Sequence, residues 1–141
     1  MSDEHETWAE ADRQLCGLVN GLAKQIEAHL RARAATLGLT AAQGVALREL
    51  THPMTLRDLA DRMACEPSNA TFVADRLEEQ GHLERRPHPS SRRSKQLVLT
   101  EKGAELRERL LGLLTEDSPL APLSPEDQDQ LRLLLTRAVV R

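Results

Sequence analysis

Two groups of side chains near the middle of the chain have chemistry to offer, and both suit a polyanion. Between His82 and Lys102 stand six bases (Arg85, Arg86, Arg92, Arg93, Lys95, Lys102) and two acids (Glu84, Glu101). This stretch therefore carries +4 in a chain whose net charge is −3, which leaves −7 for the rest. Most of the positive charge lies in one Pro- and Ser-containing run, Arg85 to Lys95. A basic run set into an acidic protein suits a phosphate backbone, whose counterions Arg and Lys displace. On charge alone, a solvated turn is an equal reading. Just upstream, Pro67, Ser68, Asn69, Thr71 and Arg76 put small polar groups and one guanidinium along a short segment. Groups of that size and polarity fit a helix end inserted into a major groove, and they are also common on ordinary surface helices.

The elements around these residues narrow the choice. Leu56, Leu59, Ala60 and Met63 recur at i, i+3, i+4 and i+7, the apolar face of a helix of about two turns that Thr55 can cap. Cys65 and Glu66 form a break. Pro67 suits the first position of a second helix, with Ala70, Val73, Ala74 and Leu77 as its buried stripe and Gly81 as its stop. The period then changes. His82 to Arg86 reads as a short strand, Pro87 and Pro89 open a loop, and Gln96 to Leu99 reads as a second strand. Helix, turn, helix and a hairpin with a basic tip make a winged helix-turn-helix, so the expected class is mostly α (α+β). Helices before and after this head would form a dimerisation region.

The order of motifs resembles the MarR family of bacterial transcriptional regulators. It is carried by Leu39-Thr-Ala-Ala-Gln43, Leu56-Arg-Asp-Leu-Ala-Asp-Arg62, Ser68-Asn-Ala-Thr71, Asp75-Arg-Leu-Glu-Glu-Gln-Gly81, Arg85-Arg-Pro-His-Pro89 and Leu99-Thr-Glu-Lys-Gly103. The resemblance implies a homodimer bound to palindromic double-stranded DNA, a repressor in function, released by a small aromatic or phenolic ligand. The DNA contacts it implies are Pro67, Ser68, Asn69, Thr71, Arg76, Arg86, Arg92, Arg93 and Lys95. The ligand crevice would be lined by Leu15, Val19, Leu22, Ala46 and Leu50. One departure stands in the wing. Where the family commonly has Asp-x-Arg, this chain has Ser91-Arg92-Arg93. That Asp helps hold the wing, so the resemblance implies a wing more mobile without DNA.

Length and composition set the remaining bounds. At 141 residues the chain is expected to be one unit, with the winged helix-turn-helix at 39–103 and dimerisation helices at 9–36 and 104–141. The core must be aliphatic, since there are 25 Leu but one Trp, one Phe and no Tyr. No apolar run is long enough for a membrane span and the N-terminus is acidic, so a cytoplasmic location is expected, with Cys16 and Cys65 as reduced thiols. From about Glu10 to Thr36, Leu15, Leu18, Val19, Leu22, Ile26 and Leu30 trace one helical stripe. Thr40 and Gln43 form a capping box for the next helix. Thr100 can cap a helix carrying Leu106, Leu110, Leu113 and Leu114, and Ser124-Pro125-Glu126-Asp127 starts another. These flanking stripes could pack within one chain or interlock with a second copy. The second arrangement places two reading heads about one DNA turn, ~34 Å, apart.

Other classes fit less well. Gln14-Leu15-Cys16 is similar in placement to the sensing cysteine of the family's peroxide-responsive branch, which makes a redox switch at Cys16 an alternative. The tyrosines that contact that thiol are missing, with Asn20 and Leu30 at the positions that look equivalent. A protein-binding winged helix is a further alternative, although it would not need the basic wing. No Ser/His/Asp or Cys/His grouping is brought together, the five histidines show no metal spacing, and no Gly-rich phosphate loop occurs. No enzyme activity, metal or cofactor is therefore expected.

Overall fold

Capping chemistry decides where most of the helices begin. In the computed structural model, which describes residues 2–139, the order is α1 (Ser2–Thr36), α2 (Ala41–Glu49), α3 (Leu56–Met63), α4 (Pro67–Glu79), β1 (Leu83–His88), β2 (Ser91–Leu99), α5 (Glu101–Thr115) and α6 (Pro125–Val139). Thr40 and Gln43 close both halves of a capping box at the start of α2. The hydroxyls of Thr55, Thr100 and Ser124 accept the N–H groups of Asp58, Gly103 and Asp127, each at 3.1 Å. Helix α1 starts well before Glu10. Residues 2–9 contain no Pro or Gly to break a helix and are rich in acids, which the positive end of the helix dipole favours. An apolar stripe marks only part of a helix and says little about how far its polar ends extend.

The described chain divides into two units, one of 2–29 with 117–139 and one of Leu30–Glu116. In the second, α2, α3, α4 and α5 close around Ala34, Leu39, Leu47, Leu50, Met54, Leu59, Val73, Leu77, Leu83, Leu97 and Leu110. Every core side chain is aliphatic or Met, as the composition requires. Each fully buried Leu contributes roughly 1.5–3 kcal/mol. Arg107 of α5 ties this core to α2, donating from Nε to the Leu47 carbonyl at 2.8 Å and from Nη2 to the Arg48 carbonyl at 3.0 Å. These are carbonyls of the last turn of α2, which have no partner within the helix.

Strands β1 and β2 form an antiparallel hairpin in which Leu83 faces Leu99 and Arg85 faces Leu97. Met54 pairs with Leu97 as an isolated bridge, with N–H to O distances of 3.3 and 2.7 Å, and pins the hairpin to the chain before α3. The ladder runs further than expected. Pro87 is inside β1, opposite Lys95, and the register shifts only between Pro87 and His88. Strand β1 has β2 as its one partner strand, so a proline facing the other edge removes no ladder bond.

Helix α4, β1 and α5 meet at a tight junction. Gly81 has φ +82°, which ends α4, and the following carbonyls point at α5. Thr100 Oγ1 donates to Gly81 O at 2.7 Å, Thr100 N to His82 O at 3.1 Å and Lys102 Nζ to Gln80 O at 2.9 Å. His82 Nδ1 is buried there and, among the described residues, is the buried side-chain polar atom without a partner. Burial first, and the Lys102 ammonium second, hold the imidazole below its ordinary value. As pH falls below about 6.5 the unfolded chain takes up this proton before the folded one, so stability is complete above that pH and declines below it. Urea midpoints at about pH 7.5 and about pH 5.5 should therefore differ more for the native protein than for His82→Gln. An equal loss in both would remove His82 as a cause.

In the first unit, Gln128 Nε2 holds the Leu120 and Leu123 carbonyls, each at 3.1 Å, ahead of α6. None of the described α6 residues is buried. Trp8, Leu15, Leu18 and Val19 of α1 and Leu133, Leu134, Leu135 and Val139 of α6 are all exposed.

Candidate nucleic-acid interface

The turn between α3 and α4 sets the angle of the second helix. Ala64 takes a left-handed conformation, φ 54°, and the Cys65 N–H reaches back to Ala60 O at 3.1 Å. An alanine there costs roughly 1–2 kcal/mol, which the surrounding packing must offset. Helix α4 then buries Ala70, Val73, Ala74 and Leu77, with Pro67 in its first turn. Ser68 and Asn69 are exposed at its amide end, and Arg76 is exposed two turns further along. Thr71 is half-buried, and its hydroxyl already donates to Pro67 O at 2.9 Å. Phe72 is 61% exposed on the same outer face, with the Arg76 guanidinium 5.2 Å from its ring centroid. Phe72, one aromatic off the buried stripe, carries no periodic signal in the sequence. Its position out of register with 70, 73, 74 and 77 was the available clue.

The wing is fastened to this helix by one residue. Arg85 donates from Nη2 to Asp75 Oδ1 at 2.8 Å and from Nη1 to Glu78 Oε1 at 2.9 Å. A forked guanidinium held by two carboxylates in a partly buried place fixes orientation in a way that an exposed pair does not. Arg86 pairs with Glu84, and Lys102 is engaged at Gln80 O. The +4 of the segment is therefore partly neutralised within the fold. Among the described residues, Arg93 and Lys95 are exposed wing cations without an ion pair. The side chain of Arg92 lies outside the described residues. Ser91 Oγ accepts the Arg93 N–H at 3.3 Å, a local turn contact at the position where the resemblance looks for Asp. Helix end, outer helix face and free wing cations belong to one unit, and Arg85 sets the wing against the helix.

Comparison with known proteins agrees with this geometry. Residues 39–95 match the sequence model of the MarR family, and these residues span α2, α3, α4, β1 and most of the wing. Residues 39–95 carry a MarR-family winged helix-turn-helix. The chain is 35% identical over 88 residues to an uncharacterised helix-turn-helix transcriptional regulator of Bacillus subtilis, YkoM, covering 61% of this chain. The chain spans 57% of that relative's length. A mutant of Escherichia coli MarR in complex with operator DNA shares the fold, with a TM-score of 0.70 at 24% identity over 90% of this chain and 94% of that one. The Mycobacterium tuberculosis MarR family protein Rv2887, in complex with salicylic acid, gives 0.67 at 26% identity over 86% and 93%.

The remaining expected site residues are divided between the two units. Ala46 and Leu50 are sealed in the core of the second. Leu15 and Val19 are exposed and Leu22 half-buried on α1 in the first. Within the winged helix itself, a concavity of about 460 Å³ lies beside α4, lined by Thr40, Gln43, Phe72, Arg76 and Gln80 among others. Cys16 is exposed, and its thiol donates to Asp12 Oδ2 at 3.9 Å. Arg13, the nearest cation in sequence, is tied to Glu10 at 3.0 Å. Cys65 is half-buried in the α3–α4 turn. No group of described residues could hold a metal ion, and no described helix is long and apolar enough to cross a membrane.

Proposed function

We propose that this protein is a sequence-specific double-stranded DNA-binding transcriptional regulator, a cytoplasmic repressor that acts as a homodimer on a palindromic operator and has no catalytic role. The observation that carries this reading is the Arg85 clamp, which sets a wing with free Arg93 and Lys95 against a helix whose exposed end carries Ser68 and Asn69. Pro67, Ser68 and Asn69 lie at the base edges, with Thr71, Arg76, Arg86, Arg92 and Lys95 nearer phosphate. Arg93 enters the minor groove beside the half-site, where a narrow A·T tract attracts a guanidinium. A protein-binding winged helix would have no use for cations kept free at the wing tip.

The exposed apolar stripes on α1 and α6 support the dimer. Eight large apolar side chains left in water on two helices are unusual for a monomer and fit an obligate interface. A two-fold pair then calls for a palindromic site. The effector fits the class of small aromatic acids, as the salicylic acid complex of Rv2887 suggests. Release by oxidation of Cys16 finds less support, since its neighbours are Asp12 and an Arg13 already paired.

Arg93→Ala tests the reading at the wing. Operator affinity should fall with the fold unchanged, and the slope of log affinity against log salt should drop by about 1 unit. Unchanged affinity and slope would remove the wing from the interface.

A further inference from the structure

The outer face of α4 holds one residue that phosphate chemistry does not explain. Phe72 is the single phenylalanine of the chain, and it takes no part in the core. It is 61% exposed and sits at the centre of the face formed by Ser68, Asn69 and Arg76, which lie four and three residues before it and four after. The ring borders the adjacent concavity, whose lining mixes Ala42 and Val73 with Thr40, Gln43 and Gln80, and it stays largely exposed beside it rather than filling it. The Arg76 guanidinium, 5.2 Å from the centroid, braces the ring in place. Asp75 and Glu78 on the flank are held by Arg85 and do not compete for the same space.

A phenyl ring offers a major groove no strong donor or acceptor. The group it can discriminate there is the C5-methyl of thymine, the apolar feature that marks a T·A pair. We propose that Phe72 is a specificity-determining residue that reads a thymine methyl in each half-site, with Arg76 positioning the ring. This rests on the DNA-binding function above and adds the base that the helix selects.

The test uses the full-length protein and its operator, chosen by selection from random duplexes. Each thymine of the half-site is replaced in turn by deoxyuridine, symmetrically in both halves, which deletes one methyl and leaves the hydrogen-bonding edge intact. For the native protein, one position should lose about fourfold in affinity per half-site, the worth of one buried methyl group. Phe72→Leu, still apolar, should keep that sensitivity. Phe72→Ser should bind the thymine operator more weakly and be indifferent to uracil at that position. Because Phe72 lies outside the core, thermal midpoints of all three should agree closely. A native protein insensitive to uracil at every position, or a Phe72→Ser variant as sensitive as the native one, would overturn the proposal while leaving DNA binding intact. Failure of the native protein to prefer any duplex would overturn the DNA-binding function and this proposal together.

Discussion

Leu134→Asp should convert the protein into a monomer that binds its operator at least about a hundredfold more weakly. Leu134 is 58% exposed in the single chain, beside Leu133 and Leu135 on a helix with no buried described residue. The substitution therefore removes nothing from the core of one chain, and helicity should be retained. In a dimer interface the same carboxylate is buried without a partner, a cost of several kcal/mol. Dissociation then separates two half-site contacts that had reinforced one another, an effect of about 10²–10⁴ in affinity. Sedimentation gives the mass, circular dichroism the helix content and gel retardation the affinity. Leu18→Asp on α1 should behave alike, because Leu18 is 64% exposed on the other stripe. A variant that remains dimeric would remove α6 from the interface, and a monomer with native affinity would show that operator binding does not depend on the dimer.

Gly103→Ala should be among the most destabilising single substitutions in the winged helix. A Cβ at Gly103 would stand 1.9 Å from the His82 carbonyl oxygen and 2.8 Å from its carbon, both backbone atoms. Relief requires α5 to move away from the α4–β1 junction, which disturbs the Thr100 and Lys102 bonds to Gly81 and Gln80. The cost is on the order of 3 kcal/mol, or about 10 °C in thermal midpoint. Since the end of α4 is held by those bonds, DNA affinity should fall as well. A midpoint within about 2 °C of the native one would mean that the junction is more yielding than its geometry indicates.

Caps and stripes made much of the fold legible in the sequence. Thr40 with Gln43, Thr55, Thr100 and Ser124 act on amides within three residues, and the buried faces of α3 and α4 repeat at helical spacing, so short windows contain the needed information. Gly81 was legible for the same reason. The site was legible in outline, through Pro67, the polar residues after it and the basic wing. What escaped depends on distance along the chain. Arg85 looked like one more wing cation, yet it is bound by Asp75 and Glu78, which themselves looked like ordinary surface acids. Its partners lie ten and seven residues away, and only the tertiary approach of wing to helix selects them. Arg107 grips carbonyls 59 and 60 residues away, for which no sequence signal exists. The strands also run past Pro87, because a proline's effect depends on which edge of the ribbon it faces.

The most direct measurement is retention of genomic DNA fragments by the purified protein, followed by footprinting of the retained sites and titration across salt. A dimer of these winged helices should protect two half-sites related by a two-fold axis, with centres about 34 Å apart or a multiple of that. Affinity should fall steeply with added salt, and a scrambled duplex should bind at least about a thousandfold more weakly. Protection of a single unrepeated site, or equal binding of selected and scrambled duplexes at physiological salt, would contradict a dimeric, sequence-specific regulator.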